Sequence, residues 1–589
     1  MPELAESINA IHEGAKEDPF TYLTILQYHV TTQEVLPTLN EVLQDASLTQ
    51  EIGWDLVQML LDLDGSEQCL ETVARLGNPR EVIIKVMEAL EALAAKWNDE
   101  VDIDRGESSI APDSKIPAHF ITLLGMLAIL QKRIKIKHPS RFLASSLVKV
   151  FEAYQPTPEM TTAVINLVRS LSGRQRPPLP TRTSSINIAN PDRDGDISKN
   201  APDPEAEQED PTEENLKRKL LQSFTTCILQ RYVNAHDMQW SPRLLEAYFP
   251  EKVYPGKLTT TKAFREDEVL QKRDAVVGQL VALLRDLGLK DCSSNLIQST
   301  YGRLADGDPM SKFEDCNSPE DLALSPGGIV CLIAYWIFST DIFDGDNPVP
   351  EMHLFSEHLT MMERFLGREA QVEINSSPGI ADALLSVGLG LHHRGLISDT
   401  EQPNYMAYHH HLTLISIFHP DIEVRNAATR FAGITLHSDP DDQSRFEILE
   451  DLLENCVFAS LKACAVQWLK EELITSKESG ADSQFSKPDV IERLQYSIFP
   501  DMLSVNDMEA DQFLEFWAEN SIFLLQAANF IYFLFKGRRD LIPDGMDGAV
   551  RERFSEPLIA AIGKHRGGSD SGEMIQLEIL ADRLQTLSV

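Results

Sequence analysis

Histidine, aspartate and cysteine are the residues of this chain best suited to chemistry, and their spacing limits what they can do. His409, His410 and His411 follow Tyr408, and His392 and His393 form a pair upstream. Two imidazoles share one helical face and one ion when they stand four apart, whereas consecutive residues fan out by about 100° each. The triplet therefore reads as ordinary surface or buried histidine. His353 and His358 stand five apart with Glu357 just before the second, which breaks the spacing of a zinc protease. Asp192, Asp194 and Asp196 match the first ligand positions of an EF-hand loop. Ile197 then falls where glycine is needed and Asp203 where glutamate is needed. The chain has no phosphate-binding P-loop, dinucleotide fingerprint, nucleophile elbow or kinase motif set. No catalytic, cofactor-binding or metal-binding residue is expected, and the protein reads as non-enzymatic.

The seven cysteines (Cys69, Cys227, Cys292, Cys316, Cys331, Cys456 and Cys464) are scattered, odd in number and contain no C-x-x-C. That usage points to a reducing compartment and not to a secreted disulfide framework. Other signals point to binding. Arg174, Pro177 and Pro180 fit one orientation of an SH3 ligand, and Pro177, Pro180 and Arg182 fit the other. Arg182 also stands three residues before Ser185, the pattern of a basic-directed phosphosite, beside the plainer reading of an unmodified linker. The densest aromatic cluster holds Phe513, Phe516, Trp517, Phe523, Phe530, Tyr532, Phe533 and Phe535, at helical spacing. Core is its default reading and a docking groove the alternative. Lys536, Arg538 and Arg539 follow, placed to complement a helix C-terminus.

The chain is 589 residues long, 43% hydrophobic and 24% charged, enough to bury a large core. Asp and Glu number 91 against 53 Lys and Arg, a net charge of −38. That excess disfavours a nucleic-acid backbone or an anionic membrane as a direct partner and favours a basic protein. The segment MPELAESINAIHEG lacks the basic and apolar regions of a signal peptide. No run reaches the roughly 18 uninterrupted apolar residues that a spanning helix needs. The nearest run, 521–535, holds Gln526 and Asn529. The expectation is a soluble intracellular protein, cytoplasmic, with the nucleus open as a second location.

Helical periodicity runs from end to end. Gly77 can close one helix, Asn78 can cap the next, and Pro79 and Glu81 suit its first turn. Val82, Val86, Leu90, Leu93 and Trp97, with Ile83, Met87 and Ala94, then make an apolar face too wide for a single covering neighbour. His138-Pro139-Ser140 and His419-Pro420-Asp421 open helices in the same way. Helical stretches also lie near 20–61, 116–137, 158–172, 215–235, 263–289, 319–339, 441–475, 508–536 and 549–587. Roughly twenty helices joined by short connections predict an all-α chain, an irregular HEAT/armadillo-like α-solenoid of divergent repeats. Residues 173–214, rich in Pro, Ser, Asp and Glu, read as a disordered acidic linker. The expected organisation is an N-terminal helical-repeat block at 1–172, the linker at 173–214 and a C-terminal HEAT-like block at 215–589.

Two stretches carry a family likeness. IGWDLVQMLLDL (52–63) and ARLGNPREVIIKVMEAL (74–90) resemble the Yap-binding protein and glomulin family of helical-repeat adaptors, and the fungal Yap-binding branch in particular. HPDIEVRNAATRFAGITL (419–436), with Val424, Ala428 and Phe431 facing inward, resembles a HEAT-type second helix. The likeness implies an α-solenoid without catalytic residues. It implies an adaptor that binds an AP-1-like bZIP transcription factor and supports its activation in the oxidative stress response. The family also implies two alternatives, a glomulin-like inhibitor of the RING-box subunit of cullin-RING ubiquitin ligases and a kinetochore-associated adaptor. It assigns no partner-binding residue, and no cysteine is expected to act as a peroxidatic thiol.

Overall fold

Side-chain caps set where the helices begin. Asn78 Oδ1 accepts from the Arg80 amide at 3.2 Å, Asp421 Oδ1 from Glu423 at 2.7 Å, and Asp45 Oδ1 from Ser47 at 3.0 Å. Each cap satisfies an amide that the first turn cannot pair. The computed structural model describes residues 4–103, 115–173, 200–201, 203, 213–253, 256, 258–302, 308–316, 318–367, 369–479, 483–565 and 571–585. Among them are twenty-seven α-helices and no strand. They fall into two compact units, Met1–Arg364 with Ser376–Ile397, and Phe365–Asn375 with Ser398–Val589.

The first unit opens with α1 (Leu4–Gly14), α2 (Pro19–His29), α3 (Leu36–Val42), α4 (Ala46–Leu61), α5 (Glu67–Leu76) and α6 (Pro79–Ile103). Next come α7 (Ile116–Arg133), α8 (Pro139–Ala153), α9 (Pro158–Leu171) and α10 (Glu213–Ala235). Then follow α11 (Trp240–Tyr248), α12 (Thr260–Glu266), α13 (Glu268–Asp286), α14 (Ser294–Tyr301) and α15 (Pro326–Phe343). The chain passes through α16 (Glu357–Leu366) and α17 (Ala370–Ser376) before α18 (Pro378–His393). Two layers build up from helices that pack on the next but one. One layer holds α2, α4, α6, α8 and α10, the other α3, α5, α7, α9 and α13. Val82, Ile83, Val86 and Leu90 of α6 are all fully buried, as its wide apolar face requires. Helix pairs stack here in the solenoid-like manner that the periodicity predicts.

The core of this unit is α10. Leu220, Phe224, Ile228 and Tyr232 are buried, and so are Gln222, Ser223, Thr225 and Thr226. Those polar groups are satisfied within the protein, Thr225 donating to Leu221 O at 2.7 Å in its own helix and Ser223 to the distant Ala323 O at 2.6 Å. The N-terminal turns of α15 and α18 reach the α10 backbone through glycine. A Cβ on Gly328 would stand 2.1 Å from Thr226 O, and one on Gly379 would stand 2.4 Å from Val233 O. Asp382 of α18 caps α11, accepting from the Trp240 amide at 2.8 Å and the Ser241 amide at 3.0 Å. Of the described helices, α15 alone is long and apolar enough to cross a membrane by length and composition. Most of its window is buried against α10 and α18, with Phe343 at its end exposed. The 521–535 run picked out in the sequence is thus not the most apolar one.

Most of the stretch read as a disordered linker, residues 174–199, 202 and 204–212, lies outside the described residues. Ala201, Asp203 and Glu213 are held in place, unlike residues of a solvated linker. Ala201 N donates to Arg75 O at 3.1 Å, and Arg133 Nε donates to Ala201 O at 3.0 Å. Asp203, read as a solvated linker carboxylate, is 6% exposed. It accepts from the Lys135 amide at 3.0 Å and sits 3.5 Å from Arg80 Nε. Burial pulls Arg133 down to about 10, with the Asp203 charge opposing the shift. Glu213 and Glu214 belong to α10, which sets the linker boundary earlier than read. Glu213 Oε2 accepts from the Ser140 amide at 2.9 Å, so α8 is capped by a distant glutamate and not by His138. The first unit runs straight through the predicted 173–214 division.

The second unit contains α19 (Tyr405–Phe418), α20 (Ile422–Ser438), α21 (Asp442–Asn455), α22 (Ala459–Ser479), α23 (Pro488–Ile498) and α24 (Ala510–Tyr532). After these come α25 (Met546–Val550), α26 (Glu556–His565) and α27 (Ser571–Gln585). Two layers form again, α19 with α21 and α23, and α20 with α22 and α24. Val424, Ala428 and Phe431 of α20 are buried as read.

The glycine contacts yield a paired test. Gly328→Ala should destabilise the first unit by at least about 3 kcal/mol, because the methyl meets backbone and not a movable side chain. Gly125→Ala, in α7 with nothing within 4 Å of the added methyl, should be neutral or stabilising by up to about 1 kcal/mol. Urea denaturation of the two variants checks both outcomes.

Candidate functional site

The candidate residues of the sequence do not converge. His409 and His411 are buried, and burial lowers them to about 3 and about 4. His409 meets the Trp468 ring edge-on at 5.3 Å. His358 is buried and bonded to Leu384 O at 3.0 Å, whereas His353 lies beside Glu357, its amide 2.9 Å from Oε2. His393 stacks on Tyr248 at 3.9 Å. These are packing roles. The triplet fans out as its spacing predicts. The Asp192–Asp196 carboxylates, the SH3-like match at 174–182 and Ser185 lie outside the described residues.

Four of the seven cysteines are buried, and Cys316, Cys456 and Cys464 are half-buried. Burial pushes Cys69 and Cys464 up to about 11 and Cys292 to about 12, and it raises Cys227 and Cys331 further. Cys316 and Cys456 are raised as well, again chiefly by burial. A nucleophilic cysteine needs a lowered value and cationic surroundings, and no thiol here has its value lowered.

One charged cluster escaped the sequence reading. His437 lies between Glu471, 2.9 Å from Nε2, and Glu472, 2.6 Å from Nδ1. Glu472 also takes Arg445 Nε at 3.1 Å, and Arg445 pairs with Asp442. Burial pulls His437 down, but the two carboxylates more than offset this and raise it to about 9. The cluster ties α20, α21 and α22 together. Because Glu471 and Glu472 are 27 to 35 residues from the groups they pair with, no local motif announces it.

In the C-terminal aromatic cluster Phe513, Trp517, Phe523, Phe530 and Phe535 are buried. Phe530 lies 6.3 Å from Phe499, and Phe513 stacks on His565 at 4.8 Å. Core, the default reading, is correct for these five. Phe516 and Phe533 are half-buried, and Tyr532 is 54% exposed. Arg539 Nε donates to Phe535 O at 2.9 Å, the helix-end role expected of it. Arg538 is buried and donates to Leu473 O and to Asp540.

The candidate site is a surface on the first unit, the outer side of α2, α4 and α6. Phe20 is 82% exposed and Tyr28 is 66% exposed, both on α2, followed by Trp54 on α4 and Ile84 on α6. Glu51, Asp55, Glu81 and Glu88 are exposed on the same helices. Lys85 of α6 sits over the Trp54 ring at 4.3 Å and reaches Glu88 at 2.7 Å. The face thus already seats one ammonium on an aromatic ring flanked by carboxylates, the arrangement that recognises Lys and Arg. Sequence reasoning missed it, although a signal existed. Trp54 falls outside the buried register Thr49, Ile52, Gly53, Leu56, Val57 and Leu60 of its own helix.

Stacked helix pairs and an exposed aromatic face are the features of a helical-repeat scaffold. A family model described as "Uncharacterised protein family, YAP/Alf4/glomulin" matches residues 1–588, and the chain belongs to that family. The family comprises non-catalytic adaptors, and this protein is accordingly not an enzyme. No curated protein matches the chain individually.

The His437 cluster gives a pH signature. Its folded value is raised, so its stabilisation is present in full below about 6.5 and is lost as pH rises through about 9. His437→Gln should lower the stability of the second unit by about 1–2 kcal/mol near pH 6, after allowance for solvent screening. The gap to the parent should close above pH 9.5, as followed by thermal melts across the range.

Proposed function

We propose that this protein is a non-enzymatic adaptor that binds an AP-1-like bZIP transcription factor and supports its activation in the oxidative stress response. Two things support this: membership of the YAP/Alf4/glomulin family, and the likeness of residues 52–63 and 74–90 to the Yap-binding branch. One observation carries it furthest, the acidic and aromatic face of α2, α4 and α6 with Lys85 seated over Trp54. A basic helical segment has the cations to sit on such rings and the charge to be drawn toward a chain at −38. The adaptor acts by docking and not by thiol exchange, given that four of the seven cysteines are buried and none has its value lowered. A second reading, a glomulin-like inhibitor of the RING-box subunit of cullin ligases, has the glomulin part of the family description in its favour.

Affinity purification from resting and peroxide-treated cells should recover a bZIP factor. Recovery of cullin subunits alone would favour the second reading. Trp54→Ala combined with Asp55→Lys should weaken binding of the recovered factor at least about tenfold, because truncating an aromatic anchor and reversing a flanking charge act together. Helical circular dichroism should not change, since both side chains are exposed. Replacing all seven cysteines by Ala or Ser should leave the affinity as it was.

A further inference from the structure

We propose that the second unit carries a separate pocket for a short acidic segment of a partner protein, in a cleft between α22, α24 and α27. The cleft has a volume of about 740 Å³. Three cations line it, Lys470, Lys536 and Arg583, against one carboxylate, Asp582. That balance is the reverse of a chain with 91 acidic and 53 basic residues. Lys470 and Lys536 have no carboxylate partner among the described residues, and Lys470 instead lies over the Phe533 ring at 5.5 Å. Lys536 reaches the cleft because α24 runs into a π-helical turn, Phe533–Gly537, which adds a residue per turn and swings the following side chains round.

The occupant is set by what the lining groups lack. Two ammoniums donate only, so they call for carboxylates. Asn529, half-buried, lines the same cleft and offers a carboxamide to a peptide backbone. Tyr532, exposed, and Phe533 offer ring surface for an apolar side chain. Carboxylates, a backbone N–H and an apolar side chain occur together in an acidic peptide. An inorganic anion supplies only the first. Repulsion from the rest of the chain does not forbid the contact, because charges beyond about 8 Å are largely screened at physiological salt. The pocket belongs to the second unit and the α2, α4 and α6 face to the first.

The test is fluorescence anisotropy with the full chain and a labelled peptide of glutamates around a single phenylalanine. Saturable binding is expected at near-physiological salt. Lys470→Glu with Lys536→Glu should weaken it at least tenfold, and the milder Lys470→Gln with Lys536→Gln should weaken it in the same direction, both with unchanged helical circular dichroism. Asn529→Leu should weaken the peptide too. Arg493→Glu, a charge reversal on α23 at an exposed arginine, should leave the affinity unchanged. The proposal is overturned if the peptide does not bind, if the lysine variants bind as well as the parent, or if millimolar phosphate displaces the peptide. That last result would make the cleft a small-anion site.

Discussion

No side of α10 is left for water along most of its length, and the first unit is arranged around that constraint. A helix buried on every side needs each polar group answered within the protein, and Gln222, Ser223, Thr225 and Thr226 all find backbone carbonyls. It also needs neighbours that come close. The α15 and α18 turns do so only because Gly328 and Gly379 have no Cβ to strike Thr226 O and Val233 O. Asp382, on the same α18, then fixes the start of α11. The regular alternation of α2 to α9 therefore gives way at α10 to a hub, in which α13, α15 and α18 close over one buried helix.

The outer layers are what remain for function. Solenoid helices have their inner sides occupied by packing, so chemical character develops on the outward ones. On the first unit that character is aromatic and acidic, centred on Trp54. On the second it includes a local reversal of charge at Lys470 and Lys536. The buried ionic groups, Asp203 with Arg80 and Arg133 in one unit and His437 with Glu471 and Glu472 in the other, fix the register of helices and leave the surfaces to recognise partners.

Local rules made much of this legible. The Asn78 cap, the helix opening at His419-Pro420-Asp421 and the 3.6-residue spacing of α6 and α20 come straight from residue types, whereas the break that Asp45 caps inside the 20–61 stretch was not read. The helical-repeat class follows from how many such segments there are. Long-range contacts were not legible. Glu213 caps α8 from 73 residues away, and Asp203 lies buried beside Arg80 and Lys135 although both its neighbours in sequence are Pro. Composition marked that stretch as solvated because composition averages over residues, while burial is decided one contact at a time. The cleft near Asn529 was hidden for a related reason. Its basic members lie on three helices, and the run Lys536, Arg538, Arg539 looks uniform in sequence. In the structure Arg538 turns into the core, Arg539 binds the helix end, and only Lys536 lines the cleft.

Native-state hydrogen exchange on the full chain tests the role of α10 most directly. Amides of Leu220–Val233 should be the slowest of the first unit, exchanging only through its global unfolding, while those of α1 and α2 open at lower free energy. If α10 exchanged as fast as α1 and α2, it could not be the element on which the rest of the unit depends.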